Sequence, residues 1–327
     1  MVFAPQDLAT FRTLLSEAKA VRCICHRNPD GDAIGSMLGI GWLVEENFPN
    51  AQVSFHCVDP VPELFHFLPG AFRVERPVAP GTSGEGVVTI FVDSAEPKLT
   101  ELHETHPELF DGSQKTVMID HHFKNPKFGT ALNFLVGDAS STCEIITYLA
   151  PAMGWALNAD IATCLLTGVY TDTGGLLHSN TTPQVYRTVA DLMRAGGRRQ
   201  EVVTKVFRTA KLSTLKLWGR VLEKIGVSEE GGAISAVTEG DFRATGADHS
   251  ELTGAIDYVN AVPGMRFSLV LSERDGKVKG SIRTMREDVD VSAMAGKFQG
   301  GGHRKAAGFS LPGKLQPEVR WKVVDGE

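Results

Sequence analysis

His26-Arg27-Asn28-Pro29-Asp30-Gly31-Asp32-Ala33-Ile34-Gly35-Ser36 places one imidazole and two carboxylates in a short segment behind an apolar run, and its reading decides the fold. Residues 21–25 read as a buried strand and residues 33–44 carry a helical apolar pattern, which makes 26–32 a strand-to-helix loop. In an open α/β sheet, ligands bind at such carboxyl ends of strands. Pro29 holds its neighbours extended or in a turn and Gly31 permits a sharp bend, so His26, Asp30 and Asp32 can converge on one point, as the ligands of a divalent metal do. Asp, Asn, Gly and Pro are also ordinary turn formers, and the loop alone is equally readable as a solvated turn.

Three further segments repeat the placement. The β-branched run 87–92 ends in Asp93, and the apolar run 116–119 ends in Asp120-His121-His122. A carboxylate at the exit of such a run lies on the rim of a parallel sheet, where residues distant in sequence become neighbours. A helical stretch over 159–169 then gives way to Tyr170-Thr171-Asp172-Thr173-Gly174-Gly175. One Asp at a strand exit is commonly a cap, but several joined by a His-His pair are not explained by capping.

Taken together, H-x-x-P-D-G-D-A-x-G-S, an isolated Asp after an apolar strand, D-H-H and T-D-T-G resemble the DHH phosphoesterase superfamily. Near the C-terminus, Gly300-Gly301-Gly302-His303-Arg304-Lys305-Ala306-Ala307-Gly308 resembles the G-G-G-H-x-x-A-A-G signature of the associated DHHA1 substrate-binding domain. The two-domain form is most similar to the nanoRNase, or oligoribonuclease, branch, which also includes phosphatases of 3′-phosphoadenosine 5′-phosphate. The resemblance implies an α/β fold with an N-terminal parallel-sheet DHH domain (1–185), a helical linker (186–230) and a smaller α/β DHHA1 domain (231–327).

The resemblance also implies roles. His26, Asp30 and Asp93 are assigned to one metal, and Asp32, Asp93, His121 and Asp172 to a second, with Asp93 bridging. Hard carboxylate oxygens with a minority of imidazoles suit manganese or magnesium better than a thiolate-preferring metal. A pair of such ions activates a shared water as a bridging hydroxide and holds both oxygens of an in-line displacement. Asp120 is expected to orient a ligand histidine, and His122 to contact the scissile phosphate, to protonate the leaving oxygen, or to be an outer structural histidine. In the second domain, Gly300, Gly301 and Gly302 let backbone N–H groups approach an anion, His303 adds a directional donor, and Arg283 binds a substrate phosphate with two hydrogen bonds. Lys305 falls at a variable motif position and reads as solvated. His56, His66, His103, His106, His178 and His249 lie outside the motifs and are taken as surface or core residues, His178 being the least secure because it follows the Asp172 segment.

Length and charge agree with this reading. At 327 residues the chain has room for two domains with their own cores. No apolar run is long enough for a membrane span, the N-terminus does not resemble a signal peptide, and Cys23, Cys25, Cys57, Cys143 and Cys164 include no C-x-x-C pair, which suits reduced core residues of a cytoplasmic protein. A net charge of −6 argues against nonspecific hold on long nucleic acid, because phosphate neutralisation supplies most of that affinity. Asp30, Asp32, Asp93, Asp120 and Asp172 concentrate carboxylates at one site, which attracts phosphate only when metallated. The expected substrate is a short RNA or small nucleotide, held between a metal site on one domain and an anchor on the other; a homodimer is implied by the resemblance alone.

Along the chain, further strands are expected at 53–58, 134–136, 233–238, 266–272 and 277–283, and helices at 183–194, 201–207, 212–225, 251–260 and 291–298. Residues 81–86 read as a surface loop, Ser141 to Glu144 has capping-box spacing, and Asp275-Gly276 marks a hairpin. The Ser140, Ser141 and Thr142 hydroxyls are read as capping groups that could also face the metal site. Competing functions are a cyclic or linear dinucleotide phosphodiesterase, a pyrophosphatase or exopolyphosphatase, and a catalytically silent nucleotide sensor. The G-G-G-H signature argues against a base-free substrate, and the complete ligand set argues against a silent sensor.

Overall fold

Strands buried on both faces of a sheet need near-continuous apolar runs, and the first half of the chain supplies them. The computed structural model describes residues 3–76 and 84–316; residues 81–83 of the loop expected at 81–86 lie outside them. The described chain divides between Thr209 and Ala210 into two compact units. In the first, β1 (Ala20–Ile24), β2 (Gln52–His56), β3 (Val74–Glu75), β4 (Val87–Val92), β5 (Lys115–Asp120) and β6 (Leu132–Leu135) form one sheet in the order β3-β2-β1-β4-β5-β6. Every pairing is parallel. From β1 the chain builds outward through β2 and β3, then returns to lay β4 on the other side of β1. That reversal opens a crevice at the carboxyl ends of β1 and β4, where His26 and Asp93 follow their strands.

Helices α1 (Pro5–Glu17), α2 (Gly31–Asn47), α3 (Thr142–Ala152), α4 (Ala159–Asp172), α5 (Pro183–Arg194) and α6 (Arg199–Val202) complete the unit. The α2 helix starts at Gly31, not at Ala33, because Asp30 caps it: Oδ1 accepts from the amides of Asp32 and Ala33, both at 3.0 Å. Asp32 therefore lies in the first helical turn. The α4 helix runs three residues past its expected end, its last turn secured by the Thr171 and Thr173 hydroxyls bonding back to the carbonyls of Thr167 and Val169. Asp172 is thus the last helical residue.

Against each other, α2 and α4 pack with no room for side chains. A Cβ on Gly35 would stand 2.4 Å from the carbonyl oxygen of Cys164, and one on Gly168 would stand 2.5 Å from Asp32 Oδ1. The same α2 face carries Gly31 against Thr171 and Gly39 against Leu165. Glycine at every fourth position lets the backbones approach, which draws Asp32 and Asp172 together.

The stretch 186–230 is divided between the units. Val189, Leu192 and Val202 are buried in the first core, while α7 (Leu212–Glu223) buries Leu217 and Val221 in a core of the second. There β7 (Gly226–Val227), β8 (Gly232–Val237), β9 (Phe267–Arg274), β10 (Lys277–Arg283), β11 (Gly301–His303) and β12 (Ala306–Pro312) form a mixed sheet in the order β11-β12-β10-β9-β8-β7. Only β8 and β9 pair in parallel. One face packs on α7, α8 (Glu239–Thr245) and α9 (Ala255–Asn260), through Val221, Phe242, Val259 and Val270. The other packs on α10 (Val291–Gly296), through Phe267, Ile282, Val291 and Ala307. The β9–β10 turn is the expected hairpin: Arg274 pairs with Lys277, and Asp275 and Gly276 both take positive φ, 51° and 71°. Among the described residues no helix is long and apolar enough to cross a membrane, and all five cysteines are buried and free.

Replacing Gly35 by Ala drives a methyl into the Cys164 backbone, which has no rotamer to yield. The substitution should destabilise the protein by about 1–3 kcal/mol, measured as a lower urea midpoint at unchanged slope. A wild-type midpoint would show that the helices do not need this close approach.

Candidate metal centre

The centre is assembled from the ends of four elements. His26 follows β1, Asp30 and Asp32 open α2, Asp93 follows β4, His121 and His122 follow β5, and Asp172 closes α4. Asp93 sits in the left-handed region at φ 50°, which costs a non-glycine residue about 1–2 kcal/mol, and its amide is held by the Ile119 carbonyl at 3.0 Å. Three sets of ligand atoms gather within 4.8 Å of one another: His26, Asp30 and Asp93; Asp93, His121 and His122; and Asp32, His121 and Asp172. Every residue expected as a metal ligand belongs to one of them.

The spacing suits an intervening cation better than direct hydrogen bonds. His26 Nε2 and Asp93 Oδ2 are 3.5 Å apart, His121 Nε2 and Asp93 Oδ1 3.5 Å, and His121 Nε2 and Asp172 Oδ2 3.3 Å. Good N–H···O bonds are shorter, whereas two ligands each about 2.1 Å from one ion stand about 3–4 Å apart. The other ring nitrogens are engaged: His26 Nδ1 meets the Arg27 carbonyl at 2.7 Å, and His121 Nδ1 the Ala139 carbonyl at 3.3 Å. A carbonyl only accepts, so each Nδ1 carries the proton and each Nε2 offers its lone pair to the cluster.

His122 is arranged differently. Its Nδ1 donates to Asp120 Oδ1 at 2.8 Å, while Asp120 Oδ2 accepts from the Asn125 side-chain amide at 2.6 Å. Both oxygens of the fully buried Asp120 are occupied, and the histidine it orients is His122, not His121, whose Nδ1 meets the Ala139 carbonyl.

The electrostatics show what the cluster lacks. Burial together with the charge of Asp93 raises the pKa of Asp30; for Asp32, burial, Asp93 and Asp30 push it well above the carboxylate range. Asp172 is pushed up by burial, Asp32 and Asp93, and it stands at the negative end of the α4 dipole. Asp93 runs the other way: burial opposes its ionisation, but His26, His121 and His122 outweigh it and bring its pKa down to about 2. Burial likewise opposes protonation of His26, yet Asp93 raises it to about 9; for His122, Asp120 overcomes burial and raises it to about 8. Hard donors that repel one another and still converge fit a divalent cation.

Several supports surround the centre, and of these only a hydroxyl of the 140–142 run was open from the sequence. Asp32 accepts from the first two amides of α3, Thr142 N at 2.7 Å and Cys143 N at 2.9 Å, so that helix start aims at the cluster. The Thr142 hydroxyl donates to Asp93 Oδ1 at 3.2 Å; of the Ser140-Ser141-Thr142 hydroxyls, Ser141 caps the helix and Thr142 faces the centre. Asn125 had no signal in its own sequence context. His178 places Nδ1 3.2 Å from the Asp172 carbonyl, with its ring over Gly174, and so braces the end of α4.

In the second unit the strand register lines up two expected residues. Arg283 pairs with Ala306, and Ala306 with His303, so the three stand in one row on one face of the sheet. The outer two are two strand spacings, about 10 Å, apart across a small side chain. Gly301 and Gly302 open the edge strand β11, and Gly300 precedes it. A Cβ on Gly300 would stand 2.2 Å from the Gly308 carbonyl oxygen, and one on Gly302, whose φ is 143°, would stand 2.5 Å from that of Ala306. Both are glycine because the chain at 300–302 packs closely on β12; of the three, Gly301 faces open space. Lys305 reaches the Arg286 carbonyl and pairs with Glu287 at 3.0 Å.

Residues 20–169 match the family model "DHH family, N-terminal domain", and residues 231–324 match that of the DHHA1 domain. A bifunctional oligoribonuclease and PAP phosphatase, NrnA, from Thermus thermophilus is 35% identical over 301 residues, covering 92% of this chain and 86% of that protein. The chain belongs to the DHH family. A second protein of that name, from Bacillus subtilis, is 27% identical over 289 residues, covering 88% of this chain and 87% of its own. The crystal structure of an exopolyphosphatase-related protein from Bacteroides fragilis shares the fold, with a TM-score of 0.87 at 24% identity over 96% of this DHH-family chain and 93% of that one.

Protons and cations compete for the raised carboxylates Asp32 and Asp172. Their folded pKa values lie above the unfolded ones, so their contribution to the stability of the metal-free protein is lost as pH rises through the folded values; a cation replaces the proton there. Adding manganese should therefore raise the melting temperature more at about pH 7.5 than at about pH 5.5. A shift equal at both pH values would count against these carboxylates as ligands.

Proposed function

We propose that this protein is a two-metal phosphoesterase that hydrolyses short oligoribonucleotides to nucleoside 5′-monophosphates and also takes 3′-phosphoadenosine 5′-phosphate. The observation that carries the reading is the sharing of Asp93 and His121 among three ligand sets. Overlapping sets describe two neighbouring ions better than one. NrnA proteins that match over most of both chains support the substrate class.

In this reading His26, Asp30 and Asp93 would hold one ion, and Asp32, Asp93, His121 and Asp172 the other. Asp93 would be shared, since Oδ2 faces His26 and Oδ1 faces His121. Two divalent ions supply a water of lowered pKa and a clamp on the attacking and leaving oxygens. Everything else is done by the chain. Thr142 and the α3 amides fix the rotamers of Asp93 and Asp32. His122, its Nδ1 proton fixed by Asp120, keeps Nε2 for the substrate in this reading; at a pKa of about 8 it would be largely protonated at neutral pH and donate to a phosphate or leaving oxygen. Arg283 and His303, on one row of the second sheet, hold a substrate phosphate. Hard donors support manganese as the ion, and five buried free thiols support a cytoplasmic setting. A homodimer belongs to the same reading, on family resemblance.

The deciding experiment incubates the protein and manganese with RNAs of two to about twenty nucleotides, cyclic dinucleotides, 3′-phosphoadenosine 5′-phosphate and pyrophosphate, and ranks the rates. Di- to tetranucleotides should be cleaved fastest, because a chain of net charge −6 gains little from counterion release on a long strand. Equal cleavage of the long strand would instead indicate a processive nuclease. Asp93→Ala should abolish turnover while the fold persists; more than about a tenth of wild-type activity would remove Asp93 as the bridge. Arg283→Ala or His303→Ala should raise KM with the manganese content intact, and loss of manganese by elemental analysis would overturn this division of labour.

A further inference from the structure

Immediately after His122 the chain runs Phe123-Lys124-Asn125-Pro126-Lys127, and nothing in the centre described above uses its aromatic ring or its two ammonium groups. Phe123 is 86% exposed. A single exposed aromatic residue is ordinary on a surface, but this one directly follows a histidine of the centre on a loop tied to it. The segment is fastened in place: the Asn125 side-chain amide donates to Asp120 Oδ2 at 2.6 Å and to the Ser94 carbonyl at 3.0 Å, while its Oδ1 accepts from the Lys127 amide at 2.9 Å. Asp120 thus anchors both His122 and the loop that carries Phe123. The ring is backed on one edge by Gly137, where a Cβ would stand 3.0 Å from Phe123 Cδ2, and the rest is open. Lys124 and Lys127 flank it, exposed and without an ion pair among the described residues.

We propose that Phe123 is a stacking platform for the nucleobase next to the phosphate held at the metal centre, with Lys124 and Lys127 pairing the phosphate beyond it. The proposal rests on the phosphoesterase reading and adds a base-recognition element within the first unit. Residue 123 adjoins His122 along the backbone, so the nucleoside next to a phosphate at His122 lies beside the ring. An aromatic face stacks on any base, which gives affinity without sequence preference, and lysine ammonium groups act as point charges for phosphate. The charges favour this occupant over a second copy of the chain, since a two-fold contact through the patch would bring like lysines together.

The test compares a tetraribonucleotide with the same chain carrying abasic residues. Phe123→Ala should raise KM for the tetranucleotide about tenfold with kcat within about twofold, and leave KM for the abasic chain unchanged. Phe123→Trp should restore KM, and its added indole emission, relative to the parent, should be quenched by adenosine 5′-monophosphate but not by ribose 5-phosphate. If Phe123→Ala keeps the parental ratio of the two KM values, the platform is overturned, as it is if ribose 5-phosphate quenches equally. If the parent cleaves no oligonucleotide while adenosine 5′-monophosphate still quenches the Trp variant, the platform stands and the phosphoesterase reading falls.

Discussion

The close approach of α2 and α4 is the constraint on which the metal centre depends. Asp32 rides on the first turn of one helix and Asp172 on the last turn of the other. They share a ligand set only because a glycine face on α2, with Gly168 opposite, leaves no side chain between the backbones. A close-packed interior passes on such displacements, so one methyl at this contact is felt at the carboxylates.

Around that contact the fold sets helix ends against each other. Asp32 accepts from the first amides of α3, a place where a carboxylate is stabilised, whereas Asp172 stands at the carboxyl end of α4, where it is not. Among the described residues the carboxylate of Asp172 pairs with one histidine, His121, at 3.3 Å. His26 and His122, whose pKa values Asp93 and Asp120 raise, lie on the other flank, towards Asp93. The arrangement is poised for cations: the side chains are held by carbonyls, amides and a buried Asp120, and what is left over is negative charge.

The second unit uses its sheet as a ruler. Antiparallel pairing fixes Arg283, Ala306 and His303 in a single row, and a slip of one residue in either register would send one of the outer side chains to the opposite face. The glycines of β11 serve that register by letting the edge strand lie flat on β12.

Much of this was legible in the sequence because it is local. Apolar runs ending in Asp or His give parallel strands with ligands at their exits, and Asp-Gly between alternating strands gives a hairpin; each signal is carried by neighbours along the chain. That these residues gather in one cluster was legible for the same reason, since each closes or opens an element. Element ends were less legible: the Asp30 cap and the Thr171 and Thr173 hydroxyls decide them, and those bonds compete with other local choices. What only the tertiary structure decided is which partner each group finds. Asp120 orients His122 and not His121, Thr142 faces Asp93, Asn125 ties a loop to Asp120, and Gly300 and Gly302 answer to a neighbouring strand. Those contacts join residues whose meeting depends on strand order and helix separation, and no periodicity along the chain encodes either.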